Sequence, residues 1–172
     1  MKRKFLLLMA LLWVWIAVMP TSPASGAHGI PGSPDFAYGG HLVTSNSPQE
    51  AVRLAANLNL DWLSLPLEWN VLAPLPKSPV DWSRYDPIFK SIARTGISVM
   101  VSLSHPPAWA LTPSGPDPSH TANLLNQLIQ RYPGLIQAIE LFPAANTRQA
   151  WGAVPDAAAY LNLIKIVQSR LQ

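Results

Sequence analysis

Ile139-Glu140-Leu141-Phe142-Pro143-Ala144-Ala145-Asn146 decides how the rest of this 172-residue chain is read. Its first residues extend an apolar run that begins at Leu135, just after the helix-stopping pair Pro133-Gly134. Its last residues open a polar, proline-containing loop that runs to Pro155. A strand ending in a long loop is the local reading. Asp156 then caps a helix with Tyr160, Leu161, Ile164, Val167 and Leu171 as its inward face. The octapeptide is therefore the hinge of a strand-loop-helix unit.

The same unit repeats upstream. Phe36 to Leu42 reads as a first strand weakened by Gly39-Gly40. Ser47-Pro48-Gln49-Glu50 reads as a helix start, with Ser as cap, Pro at the first helical position and Glu three residues on. Ala51, Leu54, Ala55 and Leu58 then share one face. Trp62 to Leu65 is a second strand, leading through Pro66 to Glu68-Trp69. After a proline-rich loop, Asp81 or Ser83 is expected to cap a helix with Tyr85, Ile88, Phe89, Ile92 and Ala93 as its stripe, ended by Gly96. Ile97 to Leu103 is a third strand, followed by His105-Pro106-Pro107-Ala108-Trp109. Ser119 to Tyr132 is a third helix with Leu124, Leu125, Leu128 and Ile129 inward.

Four strand-helix units in succession predict an α/β fold with a parallel sheet and right-handed crossovers. The turns from helix to strand are short. The loops from strand to helix are long and carry His, Glu, Trp, Asn and Pro. In such folds ligands gather on that side of the sheet.

Composition narrows the function classes. Lys2-Arg3-Lys4, the apolar run from Phe5 to Met19 and the small residues Ser25-Gly26-Ala27 form the pattern of a secretory signal peptide over residues 1–27. The apolar run falls short of the roughly 20 residues a membrane span needs. Export with cleavage after Ala27 is expected, and membrane attachment only through that segment if it stays uncleaved. Residues 28–35 form a Gly/Pro/Ser-rich lead-in, and residues 36–172 the folded domain. Beyond Ala27, nine basic side chains face nine acidic ones, so the formal charge of +3 of the whole chain resides in the leader. No cationic footprint for nucleic acid remains. With no cysteine, disulfides and thiolate zinc sites are excluded. His41 and His105 have no metal-ligand spacing, Gly39-Gly40 is not a phosphate loop, and no G-x-S-x-G elbow occurs. No metal or cofactor is expected.

On these residues the chain resembles the first half of a glycoside hydrolase TIM barrel of the retaining clan that includes cellulases and β-xylosidases. Phe36 to His41 resembles the first strand of those barrels. Trp69 matches a Trp closing their second strand, and Pro107-Ala108-Trp109 a "TPAWA"-like segment after the third. Ile139 to Asn146, with Trp151 and Pro155 to Tyr160 behind it, matches the "EIWNEPN" end of their fourth strand. The resemblance implies a partial TIM barrel of four consecutive βα units, a half barrel with parallel strands.

The departures carry as much as the matches. Laid on the motif, Glu140 falls on its first, structural Glu, and Phe142 on the Trp. Pro143 falls on the Asn, Ala144 on the general acid/base Glu, and Ala145 on the Pro; Asn146 agrees. A methyl group neither donates nor accepts a proton, and no acid lies between Leu141 and Ala150, so a shift of register does not recover one. Ser64 stands where the family often has an Arg. The family's nucleophile belongs to a seventh strand, which this chain does not reach. Since hydrolysis takes two carboxylates flanking the glycosidic bond, the expectation is a degenerate, non-hydrolytic module.

Each remaining candidate has two readings. Glu68 is a sugar ligand or a solvated partner of a base. Glu140 is a sugar contact or, as expected, a buried carboxylate paired with His105 or His41. Trp69, Trp109 and Trp151 stack on a sugar ring or plug the barrel mouth. If such a site takes a ligand, the resemblance implies a polysaccharide or oligosaccharide. A full barrel takes eight strands and about 250 residues, so four units leave two edges exposed. A homodimer, a second half-barrel chain or a truncated remnant each answers this, and the remnant is the expectation. A structural or interaction protein without sugar ligand, and a hydrolase active only with its missing half, are the alternatives.

Overall fold

The computed structural model describes residues 37–42 and 47–171. The leader, the lead-in and Phe36 lie outside the described residues. Four strands, β1 (Gly39–His41), β2 (Trp62–Glu68), β3 (Ser98–Ser104) and β6 (Ile136–Leu141), form one sheet in the order β1-β2-β3-β6. Every pairing is parallel. Two further two-residue strands, β4 (Leu111–Thr112) and β5 (Gly115–Pro116), make a small antiparallel hairpin in the loop after β3.

Three longer helices follow chain order: α1 (Pro48–Asn57), α4 (Pro118–Arg131) and α6 (Ala157–Arg170). The shorter ones are α2 (Trp69–Leu72), α3 (Asp86–Ile92) and α5 (Arg148–Trp151). The fold is thus mixed α/β with a four-stranded parallel sheet, as expected from the repeated units.

The alternation of β2 and β3 sorts the sheet into two faces. Leu63, Leu65, Leu67, Val99, Val101 and Leu103 are all buried and pack toward the helices. Trp62, Ser64, Pro66, Glu68, Met100 and Ser104 turn the other way and stay part exposed. Parallel sheets usually carry cover on both faces, but here the described residues cover one.

Pro66 lies inside β2 without breaking it. The Ser64 carbonyl accepts the Leu42 N–H at 2.8 Å, so residues of that parity direct their backbone groups toward β1. Pro66, two residues on, lies past the end of β1 at His41, so its missing N–H costs no ladder bond.

Several local expectations are corrected. Ser47 makes no side-chain cap bond, and Glu50 instead pairs with Arg53 at 2.9 Å. Asp81 does not cap α3. Its Oδ1 accepts the Ser83 N–H in a turn, and the helix starts at Asp86. The cap of α4 is Asp117, which accepts from the N–H groups of Ser119 and His120. Asp156 caps α6 as expected, accepting from Ala158 and Ala159.

Leu54 and Leu58 are 55% and 62% exposed, while Val52 and Ala55 are buried. The buried face of α1 is turned by about one residue, roughly 100°, so that Val52 joins Ala55 in the core. Ile129 and Leu161 are likewise exposed rather than inward. On α6, Val167 is buried as expected, joined by Leu163.

Candidate functional site

The loop after β6 shapes the end of the sheet. Phe142 and Ala144 both have left-handed backbone, with φ of 52° and 59°. That conformation is uncommon away from glycine, more so for a bulky side chain. Phe142 is held there from two sides. Its N–H donates to the Leu103 carbonyl at 2.8 Å. Its ring stacks on Trp69 at 6.5 Å and meets Trp151 edge-on at 6.0 Å. The turn continues as the Ala144 carbonyl accepts both the N–H and the hydroxyl of Thr147.

The result is a cleft of about 580 Å³ between this loop and the first turn of α6. Glu140, Ala144 and Asn146 line it, together with Pro155, Asp156 and Tyr160. Three of the residues singled out from sequence therefore converge. The other three were read as the start and inward face of the helix behind the fourth-strand motif, not as site residues. The Tyr160 hydroxyl donates to the Leu141 carbonyl at 3.2 Å, tying α6 to the strand.

Glu140 is exposed, not buried, and its partner is neither histidine. The Ser102 hydroxyl donates to Glu140 Oε2 at 2.5 Å. The reason is register: Ser102 sits directly beside Glu140 in the β3–β6 ladder, while β1 is two strands away from β3. Asp156, the other acid in the cleft, spends its Oδ1 on two backbone N–H groups of α6.

The remaining candidates lie elsewhere along the strand ends. Glu68 pairs with Arg84 at 3.1 Å, both side chains about two-fifths exposed. The Glu68 N–H donates to the Tyr85 hydroxyl at 3.1 Å. Burial pushes that hydroxyl above the usual tyrosine range. His41 is exposed with Nδ1 at 3.3 Å from Ser64 Oγ, and His105 with Nδ1 at 2.9 Å from Ser104 Oγ.

The tryptophans divide. Trp69 and Trp151 are each 1% exposed and belong to the core under the loops, so neither offers a ring face to a ligand in this arrangement. Trp151 Nε1 donates to the Ser114 carbonyl. Trp109 is half-buried, with Nε1 donating to the Ala73 carbonyl at 3.0 Å. Among the described residues no three acids or imidazoles converge as a metal site would require.

The strand order, the one-sided helical cover and the long loops at the strand ends now have counterparts among solved structures. A family 39 glycoside hydrolase from Bacteroides cellulosilyticus WH2 matches with a TM-score of 0.61 at 16% identity, over 78% of this chain and 28% of that one. The fold is a partial TIM barrel. The endoglucanase Cel5A from Thermotoga maritima matches with a TM-score of 0.57 at 10% identity, over 78% of this chain and 47% of its own. A β-glucosidase, 1317, matches with a TM-score of 0.55 at 11% identity, over 73% and 42%. The chain thus spans less than half the length of these neighbours, and at such identities the likeness is one of fold. No family model and no curated protein matches the chain.

Proposed function

We propose that the chain is an exported, non-hydrolytic glycoside-hydrolase-like half barrel that binds oligosaccharide or polysaccharide at the cleft beside β6. Export rests on the leader pattern of residues 1–27. The carrying observation is Ala144. It lies exposed in the cleft where the resemblance calls for the proton-transferring carboxylate, and no ionisable acid replaces it before Ala150. The cleft keeps groups that suit sugar hydroxyls: the Glu140 carboxylate and the Asn146 amide at its mouth, with apolar Pro155 and Tyr160 beside them.

Two measurements on purified protein test this. Binding to a glycan array with weakening by Asn146→Ala is the expected result, and silence across plant and bacterial polysaccharides sinks the binding half. Turnover of aryl β-glycosides that disappears in Glu68→Gln or Glu140→Gln overturns the non-hydrolytic half.

A second reading has its own support. Strands β1 and β6 each have one neighbour, and the sheet face bearing Ser64 and Met100 is bare among the described residues. A second half barrel, from another copy or another chain, would cover both. Sedimentation of the chain alone and mixed with candidate partners separates this from a monomeric module.

A further inference from the structure

Trp109 leads away from the cleft beside β6. The part of its ring left uncovered by Trp69 lines a separate groove of about 450 Å³, between the loop after α2 and one face of α4. Val80 and Leu124 form the floor with it. His120, Asn123 and Gln127, spaced i, i+3 and i+7, stand along α4 as one wall. Lys77, in a left-handed turn with φ of 66°, forms the other. The His120 ring meets the Trp109 ring edge-on at 5.3 Å.

The chemistry of this lining is selective. Among the described residues, the Lys77 ammonium and the Asn123 and Gln127 amides have no hydrogen-bond or ion-pair partner. No carboxylate lines the groove. An aromatic floor suits the apolar face of a pyranose ring, and paired amides suit its hydroxyls. The single fixed charge is a cation, a point charge on a flexible stem that recognises an anionic oxygen without demanding planar geometry. The geometry points to a second saccharide site here, for a sugar carrying a carboxylate, that is, a uronic acid residue of an oligosaccharide. This deepens the carbohydrate-binding reading and depends on it only for the ligand class, since the two sites share no residue.

The test uses the full chain, calorimetric titration and two probes, a galacturonic acid trimer and cellotriose. The trimer is expected to bind the flank groove. Lys77→Asn, which keeps a residue tolerant of left-handed backbone, and Gln127→Ala should each weaken it, together by about tenfold. Both positions are exposed, so folding should survive. Trp109→Ala should abolish trimer binding, with circular dichroism checking that the fold is kept. Asn146→Ala should leave the trimer unaffected and weaken only a ligand of the β6 cleft.

Absence of trimer binding overturns the flank site and leaves the β6 cleft standing if cellotriose binds there. Trimer binding lost in Asn146→Ala but kept in Lys77→Asn also overturns it. Cellotriose binding the flank as tightly as the trimer overturns the charge argument. Displacement of the trimer by a proline-rich peptide would reassign the groove to a protein ligand.

Discussion

The Ser102 hydroxyl donates to the Glu140 carboxylate across two neighbouring strands, at 2.5 Å, with Ser102 buried and Glu140 open to solvent. The bond orients the only acid on β6 toward the bare face of the sheet. Ser102→Ala removes it without leaving Glu140 desolvated, because that side chain reaches water. The expected cost is about 1 kcal/mol, read by urea denaturation. A loss well above that would mean Glu140 depends on the hydroxyl for more than orientation.

Acid sensitivity should arise between α3 and α4. Arg131 Nε and Nη2 donate to the two oxygens of Asp86 at 2.7 and 2.6 Å, and the Tyr132 hydroxyl donates to Asp86 Oδ1 at 2.7 Å. The Arg131 hydrogen bond, foremost, holds the Asp86 carboxyl below the usual aspartate range. A depressed folded-state pKa stabilises the fold above the unfolded value, about 3.9. That stability is lost as pH falls through the lower folded value. The pair is two-fifths exposed, so solvent screening keeps the effect small. Asp86→Asn should flatten the acid limb of a stability profile and leave the neutral region offset but parallel. An unchanged acid limb would refute this.

Gly115 tests the packing of the hairpin on the core. A Cβ there would lie 2.2 Å from Trp151 Cε2, and its φ is 121°. Gly115→Ala should cost roughly 2–4 kcal/mol, by overpacking a fully buried ring and by backbone strain. Melting temperature is the readout, and a neutral result would show that Trp151 is free to shift.

Ala144 adopts left-handed backbone on an exposed loop. Ala144→Gly should therefore stabilise by up to about 1 kcal/mol, the relief of strain exceeding the added freedom of the unfolded chain. Ala144→Glu should fold normally and leave aryl β-glycosides intact. A catalytic pair must face each other across the bond, and the described residues put no wall opposite β6. Turnover in that variant would contradict the non-hydrolytic reading.

Much of the architecture was legible because β2, β3 and β6 are largely apolar runs, and α6 starts at a recognisable cap. Asp156 and the Pro133-Gly134 stop read correctly for that reason. The burial of Leu54 and Leu58 was misjudged because periodicity sets the spacing of a stripe, not its rotation against a sheet. At the site, Ala144 and Asn146 were found by motif, and both line the cleft. Glu140 was assigned the wrong partner. Its expected burial assumed a wall across the sheet, and register alone reveals Ser102. Trp69 and Trp151 carry no sequence mark that separates a core ring from a ligand platform.

The strand order has a kinetic consequence. Each strand of the four-stranded sheet pairs with the strand of that sheet preceding it in the chain, and Ser102 with Glu140, 38 residues apart, is as distant as the paired positions become. Such wiring keeps loop-closure costs low at every step. Order can then build from β1 outward while the chain is still emerging from its synthesis machinery. Nascent chains stalled after β3 should already resist a pulse of protease over α1 to β3.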